Sequence, residues 1–162
     1  MRAYVGVGSN LGDREGTIRR AIELLAAESG VEVVSVSTFR ETEPWGPVEQ
    51  PPYLNGAFAL DTELDPRALL DVLLDVERRL GRDRAAEVRW GPRTLDLDLL
   101  VHGDVVRDEP GLTLPHPLLH ERRFALEPLA DLDPSLLVPG HGTVAELLAA
   151  LDGGPAGPGG QG

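Results

Sequence analysis

The residues best suited to chemistry lie between positions 78 and 98. Asp96 and Asp98 interrupt the otherwise apolar run Thr94 to Val101. In an extended strand, residues two apart share a face, so these carboxylates project side by side roughly 6–7 Å apart, while Leu95, Leu97 and Leu99 take the other face. Like charges at that range raise each other's proton affinity unless cations neutralise them. Just upstream stand Arg78, Arg79, Arg82, Arg84, Arg89 and Arg93, opposed within that window by Asp83 and Glu87. The first two suit a helix C-terminus, where cations complement the helix dipole. The other four fall in a loop, and guanidinium groups bind phosphate oxygens bidentately. Carboxylates that hold Mg²⁺ beside guanidiniums that hold phosphate are the two halves of a site for a nucleotide polyphosphate. The plainer alternative is a solvated helix end followed by an edge strand with one wet face.

Other motifs carry less. Gly6, Gly8 and Gly12 form G-x-G-x-x-x-G, one residue off the dinucleotide fingerprint and without a parallel βαβ unit, so a tight strand-to-helix turn is the simpler reading. His116 and His120 are four apart, but Pro117 breaks helical geometry between them and no third zinc ligand is evident. Ser9 lacks the glycine that a nucleophile elbow needs two residues before it. Trp45 and Trp90, both in loops, suit buried anchors or a stack on a flat ligand.

Composition removes whole mechanisms. All 15 basic residues are arginine and there is no cysteine. A Walker-A lysine, a Schiff base, a catalytic thiolate, a cysteine metal site and a disulfide are therefore excluded. A formal net charge of -12 and 4% aromatic residues argue against nucleic acid as a partner. No segment approaches the ~20 apolar residues of a membrane span or resembles a signal peptide, so a cytoplasmic protein is expected.

At 162 residues the chain fits one domain, here residues 1–151. The elements that must position the arginines and aspartates read as follows. Arg2 to Gly8 alternates as a strand; Asp13 caps a helix whose buried stripe is Ile18, Ala21, Ile22 and Leu25. Val31 to Phe39 is β-branched and predicts a second strand. Pro44, Gly46, Pro47, Pro51 and Pro52 predict no regular structure between about Glu41 and Tyr53. Leu54 to Leu64 predicts a strand with Ala57, Ala59 and Asp61 on one face and Phe58, Leu60 and Thr62 on the other. Asp65-Pro66 opens a second helix with the stripe Leu69, Leu73, Val76 and Leu80, closed by Gly81. The Asp96 strand follows. This order is that of an α+β, ferredoxin-like βαββαβ core: a mostly antiparallel sheet with both helices on one face, the other left open. Extra C-terminal elements are short: an edge strand at Val105-Val106-Arg107, partial helix from Leu118 to Leu132, and a last helix capped by Thr143 and Glu146 and ending near Leu151. Residues 152–162 hold six glycines and two prolines and predict a disordered tail. An open face without coiled-coil pattern favours a monomer. Such a chain could be a catalytic domain, a ligand-sensing module, or another metal-dependent nucleotidyl or glycosyl transferase.

The run Arg89-Trp90-Gly91-Pro92-Arg93-Thr94-Leu95-Asp96-Leu97-Asp98-Leu99-Leu100 resembles the signature of the 6-hydroxymethyl-7,8-dihydropterin pyrophosphokinases, enzymes of folate biosynthesis. The resemblance extends over residues 3–140 through Gly8-Ser9-Asn10-Leu11, Thr42 to Pro47, Gln50-Pro51, Tyr53-Leu54-Asn55, Glu77, Gly81-Arg82, Leu112-Thr113, Pro115-His116, Phe124 and Pro128-Leu129. It implies transfer of pyrophosphate from ATP to the pterin hydroxymethyl, releasing AMP, with two Mg²⁺ ions held by Asp96 and Asp98. Arg82 and Arg93 would be catalytic, clamping the transferred phosphates. Thr42, Pro44, Trp45, Tyr53, Asn55 and Phe124 would bind the pterin, and Glu77, Arg84, Arg89, Trp90, Arg93, Thr113, His116 and Arg122 the ATP. The pterin-side matches at Tyr53, Asn55 and Phe124 set this reading apart from other Asp-x-Asp transferases.

Overall fold

The computed structural model describes residues 1–10, 12–43, 51–81 and 95–153. Strand β1 (Arg2–Ser9) is followed by helix α1 (Arg14–Ala26), β2 (Val31–Val36), β3 (Arg40–Thr42), β4 (Tyr53–Thr62), α2 (Pro66–Arg79) and β5 (Asp96–His102). The strands form one sheet in the order β2-β4-β1-β5, every pairing antiparallel, with β3 paired to β4 beyond the end of β2. Both expected caps form: the Asp13 carboxylate accepts from the Gly16 amide and the Asp65 carboxylate from the Arg67 amide. Pro66 occupies the start of α2, and Gly81 follows its end at φ +94°, where a side chain would be strained.

Alternation along β4 decides the layering. Phe58 and Leu60 point to α1 and α2, where Ile18, Ala21 and Leu25 meet Leu69, Leu73 and Val76 across Val5, Val7, Leu97 and Leu99. Ala57 and Ala59 point the other way, and that face is not open as expected. It is covered by α3 (Arg123–Leu132) and α4 (Val144–Gly153), with Leu126, Leu129 and Val144 buried against Tyr4, Leu100 and Val101. The short alanine side chains let α3 lie close on β4, so a second core forms where the sequence suggested loose additions. The α4 cap is the expected reciprocal pair: the Thr143 amide donates to Glu146 and the Glu146 amide to the Thr143 hydroxyl.

Three further boundaries differ from expectation. Strand β2 shifts register between Val33 and Ser35 and ends at Val36; Ser37 then accepts the Ala57 amide with its hydroxyl, and the pairing resumes at β3. Arg40, Glu41 and Thr42 precede the first proline and keep their amides, so β3 extends into the stretch expected to be irregular. The edge strand expected at 105–107 starts at Arg107 instead, pairing β6 (Arg107–Glu109) with β7 (Leu112–Leu114) around Pro110-Gly111, the glycine at φ +77°. The 3-10 turn Leu119–Glu121 precedes α3, and the two-residue strands β8 (Leu137–Val138) and β9 (Gly142–Thr143) precede α4. Helix α4 runs to Gly153, and Asp152, expected to begin the tail, pairs with Arg123. Residues 154–162 lie outside the described residues.

Candidate active site

The sheet face that carries α3 and α4 is not covered along its whole length. Toward the C-terminal end of β1 it opens into a cleft holding about 410 Å³ of empty space, its solvent-open mouth included. Strand register builds its floor. Asn55 of β4, Gly8 of β1 and Asp96 of β5 lie directly across from one another, and Ala57, Gly6 and Asp98 form the next row. Opposed residues of antiparallel strands share a face, so the two aspartates and Asn55 flank a strip on which β1 presents no side chain. The space is needed. A Cβ on Gly8 would stand 2.7 Å from Asn55 Oδ1, and one on Gly6 would stand 3.2 Å from Leu100 Cδ1. Both glycines sit inside β1, so their part is clearance over the sheet, not the turn expected of them.

The Asn55 amide is fixed from the neighbouring strand, its Nδ2 donating to the Thr42 hydroxyl. Tyr53, one pleat away on the same face, has Cδ1 3.5 Å from the same Gly8 Cβ position. The opposite wall comes from the C-terminal segment, which supplies His116, Leu119, Arg122, Phe124 and Ala125. The Arg122 guanidinium lies 5.6 Å from the Phe124 ring centroid, within cation–π range. Burial holds the His116 imidazole down to a pKa of about 4, with Arg122 pushing the same way and Asp96 opposing. His116 is therefore neutral near pH 7. Its Nδ1 accepts from the Leu118 amide at 3.5 Å, which leaves Nε2 to carry the proton.

Two stays hold this end of the molecule. Asn10 Nδ2 donates to the Pro51 carbonyl; Arg14 donates to the Pro52 carbonyl and to Glu41 at 2.6 Å. Across the sheet, Arg40 and Thr38 both grip Asp131 of α3, which joins β3 to the helix that begins beside Phe124.

The expected site residues divide into three groups. Asn55, Asp96, Asp98, His116, Arg122 and Phe124 line one cleft, with Thr42 and Tyr53 against Asn55. Glu77 and Thr113 are not among its lining residues. Glu77 is 1% exposed and lies on the α2 side of the sheet, where Oε2 accepts the Leu97 amide at 2.7 Å, so what it holds there is β5. Thr113 bonds Asp108 across the β6–β7 hairpin. Pro44, Trp45, Arg82, Arg84, Arg89, Trp90 and Arg93 lie outside the described residues. His120 stacks on His141 with centroids 4.3 Å apart while His116 faces the cleft, so they do not form the zinc pair their spacing allowed. Sequence reasoning gave no site role to Asn10 or Arg14, and gave Gly6 and Gly8 only a turn. Gly6 and Gly8 were legible in principle, because glycines two apart inside a strand leave a bare face.

The donor set is that of a hard cation. Asp96 and Asp98 offer oxygen ligands side by side, and among the described residues no group of three or more His, Asp or Glu could hold a metal ion by itself. Mg²⁺ suits such a pair, since it is commonly held by one or two carboxylates with water and substrate phosphate completing its shell. No described helix is long and apolar enough to cross a membrane.

Residues 4–134 match the family model described as 7,8-dihydro-6-hydroxymethylpterin-pyrophosphokinase. Three relatives named 2-amino-4-hydroxy-6-hydroxymethyldihydropteridine pyrophosphokinase are similar to this chain. That of Methylorubrum extorquens is 47% identical over 151 residues, covering 93% of this chain and 94% of its own length. That of Pseudomonas aeruginosa is 44% identical, covering 93% and 91%. That of Bacillus subtilis is 45% identical, covering 80% and 77%. The match spans the cleft, its glycine floor and both walls, and the chain belongs to the 7,8-dihydro-6-hydroxymethylpterin-pyrophosphokinase family.

Proposed function

We propose that this chain transfers the pyrophosphoryl group of ATP to the hydroxymethyl oxygen of 6-hydroxymethyl-7,8-dihydropterin, giving the pterin diphosphate and AMP for folate biosynthesis. The observation that carries the reading is the row Asn55–Gly8–Asp96, which sets a planar amide opposite a carboxylate across a bare strip of sheet. Neighbouring strands lie about 4.8 Å apart, so the backbones that carry the amide and the carboxylate stand about 10 Å apart, with no β1 side chain between them.

In this reading Asn55 pairs with the amide edge of the pterin, Phe124 and Tyr53 bound the ring, and the hydroxymethyl group reaches toward Asp96 and Asp98. Thr42, Pro44 and Trp45 complete the pterin side. Asp96 and Asp98 would hold two Mg²⁺ ions, which when bound neutralise the triphosphate and orient its β-phosphorus. His116, as a neutral Nε2–H donor, and Arg122, as a cation, face the polyanion from the opposite wall. Arg82 and Arg93 clamp the transferred phosphates, with Arg84, Arg89, Trp90 and Thr113 completing the nucleotide side and Glu77 holding, through the Leu97 amide, the strand that carries the aspartates. Phosphoryl chemistry needs positioning and charge stabilisation more than covalent help, and the described cleft offers no residue placed as an obligatory base. The order β2-β4-β1-β5 supports a ferredoxin-like core, and a monomer in the cytoplasm belongs to the same reading.

The test is to incubate the chain with ATP, Mg²⁺ and the pterin and identify the nucleotide released. AMP in step with pterin diphosphate is expected. ADP would mean an ordinary kinase, and no turnover would mean a binding module.

A further inference from the structure

Thr42 and Gly8 meet at the same amide from two directions. The Thr42 hydroxyl takes the Asn55 Nδ2–H, and the missing side chain at Gly8 leaves the space that Asn55 Oδ1 occupies. Neither contact is required by the fold. Thr42 already pairs through its backbone with Tyr53, and Gly8 with Asn55 and Asp96, as ladder residues of any type would. An asparagine side chain has two free torsions, and its terminal one is broad, so an untethered amide would sample many planes. With one end hydrogen-bonded and the other seated over bare backbone, the plane is set before a ligand arrives.

We propose that Thr42 and Gly8 are positioning residues for pterin selection, acting through Asn55: together they hold its amide in the plane that a flat, cyclic-amide ligand must meet. The inference rests on the assignment of Asn55 to the pterin side. It adds that the Thr42 side chain contributes to recognition through Asn55, and that glycine at position 8 is a requirement of ligand affinity.

Because both act on one group, their effects must be coupled. Removing the hydroxyl with the near-isosteric Thr42→Val releases the amide. Gly8→Ala places a methyl 2.7 Å from Oδ1 and displaces the same amide. A residue that orients a ligand without touching the reacting atoms changes affinity more than turnover. One hydrogen bond corresponds to about a three- to tenfold change.

The experiment measures KM for the pterin, kcat, and equilibrium pterin binding in wild type, Asn55→Ala, Thr42→Ser, Thr42→Val, Gly8→Ala and the Thr42→Val/Gly8→Ala double variant, with thermal midpoints as a folding control. Thr42→Val and Gly8→Ala should each raise the pterin KM about three- to tenfold with kcat within about twofold, and Thr42→Ser should restore wild-type values. In the double variant, Gly8→Ala should add less than about twofold, because coupled residues do not add. Full multiplication of the two effects, a serine variant as impaired as the valine one, or a fall in kcat without a change in KM would overturn the proposal. If Thr42→Val does not fold, Thr42→Ser and Gly8→Ala carry the test: an unchanged pterin KM in Gly8→Ala is then the overturning result. Asn55→Ala separates the two levels. If it leaves pterin binding unchanged, the site assignment fails. If it weakens binding and the other variants do not, the orienting role alone fails.

Discussion

Glu77 offers a sharp quantitative test of how the aspartate strand is held. It is an ionisable side chain 1% exposed, and its Oε2 accepts the buried amide of Leu97 at 2.7 Å, between the two aspartates in sequence. Replacing it with alanine leaves that amide without this acceptor in a place water does not reach. A hydrogen bond to a charged group contributes about 1.5–3 kcal/mol, and the void left by the side chain adds to the loss, so about 3 kcal/mol is expected. For a chain of this length that corresponds to a fall in the thermal midpoint of about 6–12 °C. Glu77→Gln keeps an acceptor oxygen at the same reach and should lose about half as much or less. Urea and thermal unfolding of the two variants beside wild type, with turnover measured well below the midpoint, would read both effects. Glu77→Ala should also lose activity beyond its unfolded fraction, because the start of β5 carries Asp96 and Asp98. A midpoint lowered by less than about 2 °C in the alanine variant would refute the reasoning. A glutamine variant as unstable as the alanine one would show that the charge, and not the acceptor, is what matters.

Two further expectations concern stability. Leu126 is fully buried in the second core, so Leu126→Ala should cost about 2–4 kcal/mol in chemical denaturation; a loss under about 1 kcal/mol would mean that α3 is not an integral layer. The His116 imidazole, at about 4 in the folded chain against 6.5 for the free side chain, is protonated first in the unfolded state, so its stabilising contribution is present above pH 6.5 and is lost as pH falls toward 4. Between pH 7 and pH 5 this amounts to about 2 kcal/mol in ligand-free and metal-free protein, and His116→Asn should flatten that part of the profile. An unchanged slope in the variant would contradict the burial of a neutral histidine.

The sequence was most informative where local rules and the sheet agree. The caps at Asp13, Asp65 and Thr143, the alternating faces of β4 and the paired aspartates of β5 could all be read from spacing, because each depends on neighbours a few residues away. What escaped was long-range. Ala57 and Ala59 look like weak strand residues until α3 is seen lying on them, and the C-terminal third, with its shorter and less periodic elements, gave no sign that it would close the second face. The same holds at the site. Asp96, Asn55 and Phe124 come from three distant segments, and only strand register places Gly8 between the first two. Glu77 marks the limit of carrying a role over by resemblance alone, since its carboxylate meets the backbone beneath the aspartates on the far side of the sheet from the cleft.

The account depends most on the two carboxylates that face the cleft. The direct measurement is turnover of ATP and pterin to AMP by Asp96→Asn and Asp98→Asn, at saturating Mg²⁺ and beside wild type, with the thermal midpoint recorded for each. The account predicts turnover lower by at least about a hundredfold in both, the scale of losing charge stabilisation at a reacting phosphate, with midpoints within a few degrees of wild type. Near-normal, Mg²⁺-dependent turnover in either folded variant would contradict it.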